Sequence, residues 1–201
     1  MKNLAIWTLL LFIVSLSQTA AAKGKKSGWT LGADLFQPII TGGWNLNAYY
    51  NFSNNFILAY SHGDNLKFNS DDPWANKEMK KQDASTFVDY STGFELGYRT
   101  SKKTDVRVDF KIHKYDIDFK DGQSVSYRTG TIGPSVYYHW FPVNDHFIVA
   151  LSARYWFFVG HDGPENLMVQ NENNEVHRHD VESFSEGTSG PGLNISFAWK
   201  L

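Results

Sequence analysis

Seven histidines and a scatter of acids and serines are the residues of this chain whose types and spacing could do chemistry. The densest group is His177-Arg178-His179-Asp180, with His161, Glu172 and Glu175 close in sequence. Two imidazoles with carboxylates are the donor set of a transition-metal site. They sit in a long polar stretch rich in Asn and Glu, and their spacing matches no metal motif. A solvated loop accounts for them, and no metal or cofactor is expected. His139 and Ser135 share one face of an alternating segment, and with an interior acid they would supply a nucleophilic set. A hydrogen-bonded polar interior accounts for that pair equally well, so no catalytic residue is assigned. Gly42-Gly43 and Gly130-Thr131-Ile132-Gly133 precede no helix and are not phosphate loops.

The elements that must position these residues are strands. Period-two alternation recurs about eight times along the chain, the signature of half-buried β-strands. The segments start near Trp29, Trp44, Phe56, Phe87, Asp105, Val125, Phe147 and Gly192. The cleanest is Trp44 to Phe52, where Trp44, Leu46, Ala48, Tyr50 and Phe52 alternate with Asn45, Asn47, Tyr49 and Asn51. In the fifth, Val106, Val108, Phe110 and Ile112 oppose Arg107, Asp109, Lys111 and His113; the apolar phase then flips to Tyr115, Ile117 and Phe119. A bulge, or an extension beyond a membrane, would produce such a flip. Pro134 inside the sixth segment, Val125 to Trp140, argues against a strand there, but the alternation of Ile132, Pro134, Val136, Tyr138 and Trp140 keeps it as one.

The connections alternate in length. Ser53 to Asn55, Ser101 to Thr104 and Pro142 to Asp145 are short, whereas Gly63 to Ser85 and Gly160 to Gly190 are long. Short periplasmic turns and longer outer loops are the pattern of an outer-membrane barrel. Within the first long loop, Asp71-Asp72-Pro73-Trp74 followed by Ala75 to Lys81 reads as a short lid-like helix with Asp72 as its cap. The apolar face carries Trp, Tyr, Phe and Leu on nearly every strand, too much bulk for the interior of an eight-stranded barrel. The other face carries Gly32, Gly93, Gly97, Gly133, Ser135, Ser152, Ser196 and Ala198, together with Asp34, Asp89, Glu95, Arg99, Arg107, Asp109, Lys111, Arg154 and Lys200. Buried charges of both signs must pair, so a mutually neutralised polar core is expected.

Residues 1–22 read as a secretory signal peptide: Lys2, an apolar run from Leu4 to Leu16, and Ala20-Ala21-Ala22 at the cleavage positions. Residues 23–201 then make one barrel domain. A formal net charge of −2 gives no reason to expect a nucleic-acid partner. The chain has no Cys, so stability after export has to come from something other than disulfides. A closed barrel in lipid supplies it, because every backbone group finds a partner in a neighbouring strand.

Taken together, the leader, the alternating segments and the closing segment Gly192 to Leu201, with Phe197 and Trp199, resemble the small eight-stranded bacterial outer-membrane barrels of the OmpX, OmpA membrane-domain and OmpW kind. In that family the last strand usually ends in an aromatic read by the insertion machinery; here Leu201 takes that position. The resemblance implies an all-β, antiparallel up-and-down transmembrane barrel in the bacterial outer membrane. It also implies a monomer whose partners are outer-membrane lipid, lipopolysaccharide and the barrel assembly machinery. The expected role is non-enzymatic: envelope structure, surface interaction or passage of a small apolar molecule. Two alternatives stand beside it. One is a lipid A-modifying enzyme, although the His-x-Ser pair of the lipid A deacylases is absent. The other is an exported, soluble, lipocalin-like ligand-binding barrel with its apolar face inward.

Overall fold

The computed structural model describes residues 27–73, 77–120, 122–170, 176–180 and 190–201; the expected signal peptide, 1–22, lies outside them. In chain order the elements are β1 (Gly28–Asp34), α1 (Phe36–Ile40), β2 (Trp44–Asn51), β3 (Phe56–Phe68), α2 (Lys77–Gln82), β4 (Ser85–Arg99), β5 (Thr104–Asp118), β6 (Ser124–Trp140), β7 (Phe147–His161), β8 (Asn166–Gln170), β9 (Val176–Asp180) and β10 (Gly190–Lys200). Eight of the strands form one closed barrel in the order β1-β10-β7-β6-β5-β4-β3-β2, and β8 and β9 pair as a separate two-stranded hairpin. Every neighbouring pair in the barrel is antiparallel, and β1 meets β10 from Thr30↔Lys200 to Asp34↔Ser196. Closure satisfies the backbone all round and leaves no open sheet edge at that seam.

The turns fall at one end and the long loops at the other. After β2 the chain reverses within Ser53-Asn54-Asn55: Phe52 N–H donates to Phe56 O at 2.9 Å, and Asn55 adopts a left-handed φ of 72°. Asn tolerates that region better than most residues because its short polar side chain can bond locally. Thr100 and Ser101 close the β4–β5 turn on Thr104 O. Both described ends, near Gly28 and Leu201, lie at this turn end, where Leu201 N–H donates to Trp29 O.

The outer face of the wall is apolar. Leu31, Leu46, Leu58, Phe94, Leu96, Phe110, Ile112, Val136, Leu151 and Phe157 are all exposed there. The inner face is polar, with Thr30, Asn45, Ser61, Glu95, Asp105, Arg107, Asp109, Lys111 and Ser135 buried. This is the reverse of a soluble ligand-binding barrel.

Above the apolar band the chemistry turns over. Along β5 the inward residues run Asp105, Arg107, Asp109, Lys111 and His113, then Tyr115 and Ile117, with buried Phe119 just past the strand's end. The outward residues run Val106, Val108, Phe110 and Ile112, then Lys114 and Asp116, which share an ion pair at 3.9 Å. The register between β5 and β6 is continuous from Thr104↔Tyr138 to Asp118↔Ser124, so β5 has no bulge against β6. The flip read from the sequence is an extension of the wall past the band: the strand keeps its geometry while its surroundings change sides. The inward apolar residues there form a cluster of Leu66, Met79, Ala84, Val88, Tyr115, Ile117, Phe119 and Tyr127, with Met79 supplied by α2.

Several expectations are corrected. The register shifts against β5 between Val88 and Tyr90, leaving Asp89 as an extra residue of β4. Val88 therefore turns inward into the apolar cluster. Asp89 pairs with outward Lys114 at 2.8 Å instead of joining the interior charges. The strand expected to stop near Gly63 continues to Phe68, because its upper half packs Leu66 into that cluster. The first strand ends at Asp34, and Phe36 starts α1. The sixth strand, by contrast, is as expected with Pro134 inside it: Pro134 pairs with Val108 on one side, while the ladder to β7 passes from Ile132↔Phe157 to Ser135↔Arg154. The missing N–H thus falls in a local interruption of one ladder, which is how a sheet tolerates proline. The long loop after β7 carries the hairpin β8–β9, from Asn166↔Asp180 to Gln170↔Val176.

Candidate functional site: the charged interior and the vestibule below it

Alternation on β4, β5, β6 and β7 delivers long charged side chains into the lumen, and the strands opposite make space for them. Arg107 faces Gly97 across the β4–β5 ladder, Lys111 faces Gly93, and Arg154 faces Gly192 across β7–β10. A Cβ on Gly97 would meet Arg107 Cγ at 2.7 Å, and one on Gly93 would strike the backbone and side chain of Lys111. The glycines clear the path along which the cations cross the barrel.

Arg107 is the hub. Its Nη1 lies 2.9 Å from Glu95 Oε2 and its Nε 2.8 Å from Asp105 Oδ1. Its guanidinium sits between two rings, 3.8 Å from the centroid of Tyr137 and 4.9 Å from that of Tyr49. Asp105 is also held by His139 Nε2 at 2.6 Å and, more distantly, by Arg99 at 3.6 Å. Arg154 donates to Ser152 Oγ at 3.0 Å and to Tyr137 Oη at 3.3 Å, and Tyr137 donates on to Glu95. Ser135 donates to Asp109 at 3.0 Å, and Asn47 to Asp34 at 3.3 Å. Such a network neutralises charges that would each be prohibitive alone; removing one partner from it costs far more than the intact pair contributes. The void left among these side chains measures about 20 Å³, room for a single water.

Below the network, at the turn end, lies a larger vestibule of about 420 Å³. Arg99, Lys102 and Lys200 supply its cations, and Phe56, Phe141 and Ile148 its apolar wall. His139 separates it from the hub, so the two spaces share one imidazole.

The other sequence candidates are dispersed. Ser135 and His139 bond to different carboxylates, Asp109 and Asp105, so no nucleophile meets a base there. His161 sits at the end of β7, its ring 6.4 Å from that of Tyr127. The positions of His177 and His179 lie on β9, opposite Val169 and Leu167. Glu172 and Glu175 lie outside the described residues. Among the described residues no three His, Asp or Glu converge as a metal-holding group. Asp72 accepts from Asn69 N–H at 2.7 Å in a turn before α2, which begins at Lys77 rather than at a cap provided by Asp72. Trp74, Ala75 and Asn76 lie outside the described residues. In the loops, hydrogen bonds to the carboxylates replace burial as the electrostatic control. Ser70 and Lys120 hold Asp83 below the usual carboxylate range, and the N–H groups of Arg128, backbone first, do the same for Asp162.

Sequence reasoning misses Asp105 among the interior charges, because it stands at a strand end next to a turn. The signal that finds it is its parity: Asp105, Arg107, Asp109, Lys111 and His113 are alternate residues of one strand. Lys200, expected as an interior charge, lines the vestibule instead of joining the network.

Strand order, closure and the inward charges define an eight-stranded antiparallel barrel with a polar core. No family model matches the chain, and no curated protein matches it. Among solved structures it is similar to a major outer membrane protein from Thermus thermophilus, with TM-score 0.45, 10% identity, and 88% of this chain and 100% of that chain covered. It is also similar to Ail, the attachment invasion locus protein of Yersinia pestis, with TM-score 0.43, 12% identity, and 87% and 95% covered. Neisserial surface protein A gives TM-score 0.43, 12% identity, and 87% and 94% covered. The fold assignment rests on the closed strand order of this chain and not on these likenesses.

Proposed function

We propose that this chain is an integral outer-membrane barrel, exported by the leader at 1–22, that anchors an outward-projecting β-sheet and carries out no catalysis. The observation that supports it most is the turnover of polarity along β5 at His113 and Lys114. Below that level the wall is apolar outside and charged inside, as lipid requires; above it the wall is charged outside and apolar inside, as water requires. The short turns then face the periplasm and the long loops the exterior, where lipopolysaccharide surrounds them. The ion-pair network fills the middle of the lumen, which favours an anchoring or surface role over passage of solutes. Insertion by the barrel assembly machinery and a monomeric state belong to the same reading.

Refolding the exported chain, residues 23–201, with and without detergent micelles tests it. Far-UV circular dichroism and the mobility of boiled against unboiled gel samples are the readouts. The expected result is β structure and a heat-sensitive mobility shift only with detergent. A folded, soluble chain in plain buffer would overturn the membrane placement. An unchanged lipid A mass spectrum on expression is expected as well; a new lipid A species would restore the lipid-modifying alternative.

A further inference from the structure

We infer that the vestibule at the turn end is a binding site for a small amphipathic anion, one carrying a phosphate or carboxylate on an apolar body. Three features of the site point to it. The cavity, about 420 Å³, lies in the range of small-molecule pockets. Its lining carries three cations, Arg99, Lys102 and Lys200, against one acid, Asp145, which is already engaged with Lys102 at 3.1 Å. Its remaining walls include Phe141 and Ile148, an apolar surface beside the charges.

The unmet hydrogen bonds have the same sense. Asp105 takes its close bonds from Arg107 and His139, and Arg99 pairs with it only at 3.6 Å. The buried Nε of Arg99 has no hydrogen-bond partner among the described residues, nor has Nδ1 of His139. The Arg99 side chain lines the cavity and is 16% exposed, and a guanidinium so placed is suited to the planar, forked recognition of phosphate or carboxylate. Lys200, on the far side at the end of β10, adds a mobile point charge. The ligand's apolar part would replace water against Phe141 and Ile148.

The site is a property of the barrel itself; only its periplasmic side rests on the membrane reading above. Two sources could supply the anion: a free periplasmic amphiphile, or the headgroup of a phospholipid in the adjoining leaflet. The test is nitrogen-15 NMR of residues 23–201 folded in non-ionic micelles, titrated with phenyl phosphate, inorganic phosphate and phenol. Phenyl phosphate is expected to give saturable shifts of Arg99 Nε–H and the amides of Asn51 and Phe141. Inorganic phosphate should bind more weakly, and phenol should leave Arg99 unmoved. Arg99→Gln and Lys200→Gln should each weaken phenyl phosphate by about tenfold, the loss of one charge-assisted hydrogen bond. Lys200 is at the rim, so K200Q keeps the test alive if R99Q fails to fold.

Equal shifts with phenol, or K200Q binding as tightly as the parent, would overturn the site. In lipid nanodiscs, binding as strong as in micelles assigns a free anion. Loss of binding with Arg99 already at its saturated position assigns a lipid headgroup. Loss of binding without that shift overturns the proposal. If the chain folds only in plain buffer the membrane reading fails, and the same titration there still decides the site.

Discussion

The lower and upper halves of β5 have the same backbone, the same pairing partners and opposite chemistry. From Asp105 to His113 the inward positions are charged or polar and the outward ones are Val106, Val108, Phe110 and Ile112; from Lys114 to Phe119 the assignments exchange. The same exchange occurs on β6, where inward His139, Ser135 and Thr131 give way to Tyr127. A strand's pleat decides only which residues share a side. Which side is apolar depends on the solvent around that stretch of wall. The lower half is stabilised by paired charges within an apolar sleeve, the upper half by an ordinary apolar core beneath α2. They should therefore fail differently.

The largest expected effect is in the lower half. Arg107→Ala leaves Glu95 and Asp105 buried without their shared cation, which costs about 3–5 kcal/mol. The heat-sensitive gel band should weaken or vanish, and the denaturant midpoint in micelles should drop. A variant as stable as the parent would mean that the two acids are not charged partners of Arg107.

In the upper half, Ile117→Ala removes a fully buried side chain from the cluster around Tyr115 and Val88. The cost is about 2–4 kcal/mol, but it should be local. Hydrogen exchange should rise at the amides of Leu66, Val88 and Tyr127 while the gel shift and the lower amides remain as before. Global unfolding would show that the two halves are one cooperative unit.

Next come two substitutions at one parity of β5. Phe110→Arg puts a charge on the apolar band and should cost about 2–4 kcal/mol in a bilayer. Asp116→Arg, on the same outward face above the turnover, should stay within about 0.5 kcal/mol as a surface change. Comparable stability of the two in lipid vesicles, by denaturant titration, would remove the boundary drawn at Lys114.

The smallest effect is at the rim. Asp162 accepts from the backbone N–H and side chain of Arg128, and these bonds hold its carboxyl below the usual range. A carboxylate with a depressed folded pKa contributes above its unfolded pKa, near 4, and its contribution is lost as pH falls through the folded value. Asp162→Asn should speed exchange of the Arg128 amide at neutral pH. The parent should approach that behaviour only on strong acidification.

Much of this is legible in the residues alone. The Trp44 to Phe52 alternation became β2 because five apolar residues at spacing two have no other economical placement. The inward charges Glu95, Arg107, Asp109, Lys111 and Arg154 were readable from parity alone. Parity alone puts Asp89 on the wrong face, because one bulge at Val88 and Tyr90 exchanges the faces of everything beyond it, and a bulge leaves no mark in composition. The alternation puts His139 and Ser135 on one inward face, and both are buried. That they serve different carboxylates depends on how β5 lies beside β6.

By itself the sequence determined that the chain is all-β, that about eight alternating strands make the barrel, which residues share a face, and which connections are short. These follow from a local rule, the two-residue repeat of the strand. Only the tertiary structure decided that the wall continues past its apolar band, that Arg107 takes Asp105 and Glu95 while His139 takes Asp105, and that a cationic vestibule opens beneath them. Those outcomes depend on register between strands far apart in the chain. A shift of one residue would keep every local pattern and replace every partner.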